Sequence, residues 1–247
     1  MTHGTLYQWP AAAKFGRPVP KGKFYEHATI PAALKERFVG EVQRITWAYK
    51  LADSTIHLAG SDAVPEVQVF VIDAKGADVS DDVLAAIDKA VPYPLVFEIT
   101  RMGGVVGDDG GVTDPEVREV RMVAANKTIG SAQNRVSAYF STAWLPAETA
   151  RAPLPAALDL AGLHGALLTP LMPVAVRRGE AVADAAARLK AVEKVEREIK
   201  ALERKLRSER QLNRKIELRR QLKGREAALA ELTAPVASTA PAMETKE

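Results

Sequence analysis

The chain has 247 residues, 47% of them hydrophobic and 26% charged, which is ordinary globular composition with room for one sizeable domain and an appendage. It contains no cysteine, which excludes disulfides, thiolate zinc sites and a thiol nucleophile and fits a reducing cytoplasm. The net charge of +3 is unevenly spread: residues 176–233 carry 17 Lys and Arg against 10 Asp and Glu, whereas residues 1–175 carry 16 against 19.

The first residues lack a basic region followed by an apolar run, so no signal peptide is expected. Pro10, Gly16, Pro18, Pro20 and Gly22 predict an irregular N-terminal arm over residues 1–30. The arm carries Lys14, Arg17, Lys21 and Lys23, and is expected to pack Trp9 and Phe15 onto the body. An α+β domain is predicted over residues 31–175. Its first helix begins near Pro31, behind Thr29 as a candidate cap, with Leu34, Phe38 and Val42 on one face.

Residues 45–51 alternate and read as a strand, which residues 54–58 extend or hairpin, placing His57 on a strand. The β-branched run 67–72 reads as a central strand buried on both faces. Ser80 begins a helix with Val83, Leu84, Ile87 and Val91 on its apolar side, ended by Pro92-Tyr93-Pro94. The strand at 95–100 completes a β–α–β crossover, so it should lie parallel to 67–72. A glycine-rich loop over residues 103–115 leads to strands at 117–124 and 135–144. The apolar stretch 152–176 is interrupted by Asp159, His164 and four prolines. It predicts a buried helix between Pro155 and Pro170 rather than a membrane span. The fold class is therefore α+β, a mixed β-sheet with helices on one face, followed by a long C-terminal coiled-coil-like helix or helical hairpin.

Residues 176–233 form that basic helical arm. Leu189, Val192, Val195, Ile199, Leu202 and Leu206 step by three and four, an a/d seam that something must cover. The seam then loses phase on Glu209 and Asn213, consistent with one stuttered helix or with two helices folding back. Between Lys205 and Arg225 nine Lys and Arg face only Glu209 and Glu217. Of these, Arg207, Arg210, Arg214, Lys215, Arg219, Arg220 and Lys223 are the candidates for contact with nucleic acid or an acidic partner. With no interleaved aromatics, base stacking is not implied. The tail 234–247, rich in Pro, Ala, Ser and Thr, predicts disorder.

One constellation suggests catalysis. Asp73-Ala74-Lys75 closes the predicted central strand, and an acidic residue two before a lysine is part of the Mg²⁺ site of many nucleases. Glu66, Asp53 or Asp62 would supply the second carboxylate. The required Pro-Asp on a preceding strand is missing, so a turn at Gly76 is the plainer reading and no catalytic residue is assigned. The four histidines show no metal-ligand spacing, no Walker or dinucleotide fingerprint is present, and no cofactor is implied.

Six segments in order, residues 20–25, 45–50, 66–70, 87–94, 139–144 and 208–218, together resemble a bacterial domain-of-unknown-function family, numbered 4391. The resemblance implies neighbourhood with helicases and DNA methyltransferases in restriction or antiphage gene clusters. It transfers no catalytic residue. The expectation is a cytoplasmic, non-catalytic accessory subunit of a DNA-directed defence system. It would dock on a larger enzyme, a helicase or methyltransferase, or self-associate through the helical arm. A metal-dependent nuclease centred on Asp73 and Lys75, or a nucleic-acid-binding module using the basic helix, are the alternatives.

Overall fold

The computed structural model describes residues 5–26, 30–103, 117–129, 135–173, 176–177 and 180–234. Thr29, the glycine-rich loop beyond Gly103 and the tail beyond Ala234 lie outside the described residues. The chain separates into two compact units, the first ending at Pro173.

The first unit runs β1 (Lys14–Pro18), α1 (Lys21–Glu26), α2 (Ala32–Glu41), β2 (Val42–Leu51), α3 (Asp53–Ile56) and β3 (Val67–Ala74). It continues through α4 (Asp81–Ala90), β4 (Leu95–Met102), β5 (Arg118–Thr128), β6 (Arg135–Ser141), β7 (Leu145–Pro146) and α5 (Leu160–Leu168). The strands make one sheet in the order β1-β2-β3-β4-β5-β6, with β7 beside the start of β5. Only β3 and β4 are parallel, as the crossover through α4 requires. The sheet is thus mixed and the domain α+β.

β3 is interior, flanked by β2 and β4 on either side. Val67, Val69, Phe70 and Ile72 are all buried, so both of its faces are covered there. Ile45, Phe70, Ile72, Phe97, Ile99 and Val123 join Phe24 of α1, Phe38 of α2 and Val83, Leu84 and Ile87 of α4 in one core. Strand alternation then turns Arg44, Asp73, Glu98, Thr100 and Arg118 to the opposite face.

Four expectations are corrected. The N-terminal segment is not irregular: β1 pairs antiparallel with β2 and α1 follows it. Gly16, at φ 66°, supplies the bulge between Lys14 and Arg17, and Pro18 ends an edge strand, so these breakers are tolerated. Residues 53–56 form the short helix α3 rather than more strand. The Thr55 hydroxyl donates to the Lys50 carbonyl at 2.7 Å, turning the chain out of the sheet. His57 closes that helix at φ 55° and lies on no strand. Finally, β6 ends at Ser141, and residues 145–146 pair instead with Val120 and Glu119 near the start of β5.

The second unit is a helical hairpin of α6 (Val182–Ser208) and α7 (Leu212–Thr233). On α6, Leu189, Val192 and Val195 are buried and Ile199, Leu202 and Leu206 half-buried; on α7, Leu218, Leu222, Leu229 and Leu232 are half-buried. The break falls where the seam lost phase. Glu209 accepts the backbone N–H groups of Arg210 (2.8 Å) and Gln211 (2.9 Å), satisfying donors at the start of α7. At the far end Arg177 donates to the carbonyls of Glu231, Leu232 and Ala234, and Arg188 to that of Leu232. These two guanidiniums hold the α7 C-terminus beside the start of α6, with Glu180 bound by Arg188 at 2.8 Å.

Candidate functional site

Asp73 leaves the C-terminal end of β3 and is saturated by donors. Arg44 Nε reaches Oδ2 at 2.8 Å; Arg118 Nη2 and Thr100 Oγ1 reach Oδ1 at 2.5 and 2.7 Å. Lys75 turns elsewhere: its Nζ donates to the Val39 carbonyl at 2.7 Å, and Lys21 Nζ donates to the Val42 carbonyl. Both ammoniums therefore serve the C-terminal end of α2, where unpaired carbonyls and the helix dipole favour cations. Burial, and then the charge of Lys75, lower the Lys21 pKa.

Two of the proposed second carboxylates, Glu66 and Asp53, do not come to Asp73. Glu66 immediately precedes β3, seven residues before Asp73, a separation of about 23 Å along an extended strand. It binds Lys50 Nζ at 2.9 Å and accepts from Gln68. Leu51 pairs with Val67, which puts Asp53 at that same remote end. Among the described residues no three His, Asp or Glu side chains are grouped to hold a metal ion.

Three buried polar networks escaped the sequence reading. Lys127 Nζ donates to the carbonyls of Asp88 (2.5 Å), Val91 and Tyr93 (3.1 Å) and to Asp88 Oδ1 at 3.3 Å, while Tyr139 Oη donates to Asp88 Oδ2 at 2.5 Å. Burial dominates here: it raises the Asp88 pKa and lowers that of Lys127. Glu98, in the middle of β4, is held by Trp9 Nε1 at 2.7 Å and by Arg151 through both oxygens at 2.6 and 3.1 Å. Arg101 pairs with Glu119 at 2.7 Å and stacks on Trp144, its guanidinium 4.0 Å from the ring centroid. Each joins residues tens of positions apart, so local spacing carried no signal for it. The one hint was a charged residue inside an apolar run, as at Glu98.

The family model described as Domain of unknown function (DUF4391) matches residues 8–229. The chain belongs to this family. No curated protein and no solved structure matches it. Several segments that carry the family resemblance meet in the fold. Residues 87–94 and 139–144 both reach Lys127 or its partner Asp88. Phe24, Trp47, Phe70 and Tyr93, from four different segments, line one apolar pocket of about 320 Å³. In this chain these segments therefore hold the body together.

The last of the six segments, residues 208–218, covers the turn of the hairpin and the start of α7 and is different in kind. Arg207, Arg210, Arg214, Arg219, Arg220 and Lys223 are exposed there and Lys215 is half-buried. Leu212 and Ile216, 69% and 56% exposed, stand one turn apart among them. Arg214 has Glu209 only at 4.0 Å and remains 73% exposed, so its charge is little screened by the protein. Among the described residues no helix is long and apolar enough to cross a membrane.

Proposed function

We propose that this protein is a non-catalytic accessory module that docks on a larger DNA-processing enzyme through the basic end of its α6–α7 hairpin, in a DNA-directed defence system of the restriction type. The observation that carries this reading is the division of the hairpin surface. The apolar seam of α6 is buried or half-buried within a hairpin, so it is not the surface on offer. What α7 offers outward is a run of exposed guanidiniums around Leu212 and Ile216. Desolvated apolar anchors ringed by charge are the usual anatomy of a protein interface.

A second reading, nucleic-acid binding by the same basic run, is favoured by its charge density alone. The hairpin has no aromatic side chain for stacking, so such binding would rest on phosphate contacts and fall steeply with salt. Fluorescence anisotropy of a labelled DNA duplex separates the two. Docking on protein predicts weak DNA association that vanishes between about 50 and 200 mM salt. It also predicts that the charge-neutral Leu212→Gln with Ile216→Gln leaves that DNA association unchanged while abolishing capture of the partner enzyme. Tight DNA binding at about 50 mM salt that falls steeply as salt rises, and that is lost on charge reversal of Arg214, Lys215, Arg219 and Arg220, would instead make the nucleic-acid reading the better one.

A further inference from the structure

We infer that Arg44 and Arg118 form a phosphate-recognition site on the sheet face opposite α2 and α4, with Asp73 as its positioning residue. The site is separate from the hairpin and from the metal chemistry that Asp73 first suggested. Four neighbouring strands contribute to it. Arg44 of β2 pairs in register with Asp73 of β3, Asp73 with Thr100 of β4, and Arg118 lies at the start of β5, opposite Met102. Alternation puts Arg44, Asp73, Thr100 and Arg118 on one side, away from the core that α2 and α4 cover. They line an open depression of about 530 Å³ that also includes Gln43.

The geometry is that of a clamp. One carboxylate binds two guanidiniums, one on each oxygen, and the Thr100 hydroxyl bridges: it donates to Asp73 and accepts from Arg118 Nη2 at 2.9 Å. Asp73 is nearly covered, at 16% side-chain exposure, while Arg44 and Arg118 remain 63% and 48% exposed. The carboxylate therefore sits at the back and fixes the two forks, which keep about half or more of their side-chain surface open to solvent. Arg101, the other arginine at this edge, is neutralised by Glu119. The row keeps one net positive charge, which matches a phosphodiester or a singly charged phosphate. Planar guanidiniums with paired N–H donors fit two oxygens of one phosphorus. The position also suits a ligand, since it lies beyond the carboxyl ends of the two parallel strands.

A phosphate of this kind comes free, on a nucleotide or along a nucleic-acid backbone, and the test separates these sources. Full-length protein is titrated with inorganic phosphate, ADP and a short single-stranded DNA by calorimetry, the DNA arm in a background carrying R214E, K215E, R219E and R220E to silence the hairpin. Wild type should bind at least one probe. Arg44→Gln or Arg118→Gln should each weaken it by about tenfold, the loss expected for a charge-assisted hydrogen-bond pair. Arg44→Lys with Arg118→Lys keeps the charge and the fold but loses the forks, and should also weaken binding. Asp73→Asn gives the readout that charge counting would not predict. Removing a negative charge should tighten binding by simple electrostatics, whereas loss of the anchor should weaken it. Binding of ADP and phosphate assigns a nucleotide or free-phosphate site; binding of DNA alone assigns a backbone phosphodiester. No binding of any probe to wild type, unchanged affinity in the folded R44Q/R118Q protein, or tighter binding by D73N would overturn the inference.

Discussion

His164 is buried in α5, 4% exposed, and its Nε2 has no hydrogen-bond partner. Its burial agrees with the buried helix expected between Pro155 and Pro170. Desolvation lowers its pKa from 6.5 to about 4. The unfolded chain therefore takes up the proton first, and stability is complete above the ordinary pKa and lost as pH falls through this window. The full effect is about 3 kcal/mol. His164→Leu should flatten the dependence of melting temperature on pH between 6.5 and 4; an unchanged slope would show that another group titrates. Lys127 makes a second residue-scale prediction. Lys127→Met strands the buried Asp88 carboxylate and should cost about 3–5 kcal/mol, while Asp88→Leu with Lys127→Met should recover only part of it, since the carbonyls of residues 88, 91 and 93 and the Tyr139 hydroxyl stay unpaired. Denaturant unfolding of both variants measures this, and equal losses would contradict the coupling. Neither the Asp88–Lys127 pair nor the Arg44–Asp73–Arg118 row was legible in the sequence, because strand register rather than spacing brings them together. Asp73 and Lys75 were legible as a motif, yet the fold sends their side chains to different partners.

At the scale of elements, periodicity carried far. The buried β3, the α4 crossover and the parallel β4 were all readable from β-branched runs and a helical face. Failures came where a rule about single residues met a tertiary exception. β1 survives a glycine and a proline because it is an edge strand that can bulge. The hairpin was one of two open readings, and loss of heptad phase was its only signal. Among its described residues the α7 helix has none fully buried, so its docking on α6 rests on half-buried side chains. Leu222→Asp should detach α7 by removing about 1–2 kcal/mol of apolar contact and adding a charge. Hydrogen exchange would then rise throughout α7 and stay unchanged in the sheet. Protection retained in α7 would mean that Arg177 and Arg188 alone hold it.

At the scale of the molecule, the two units differ in charge: a body of net negative charge and a basic hairpin. The asymmetry was legible in composition, but the exposure of each arginine was not, since it depends on which helix face the fold-back covers. Residues 1–173 contain every strand among the described residues and the sheet's own core, so they should melt cooperatively without the hairpin. The central claim is that the basic end of the hairpin is the docking surface. The most direct measurement is affinity purification of the full-length protein from its native host, wild type against R214E/K215E/R219E/R220E, with co-purifying proteins quantified by mass spectrometry and nuclease added to remove nucleic acid. The account predicts one larger DNA-processing enzyme enriched with wild type and lost from the charge-reversed protein. The same enzyme retained by both proteins would place the docking surface elsewhere and contradict it.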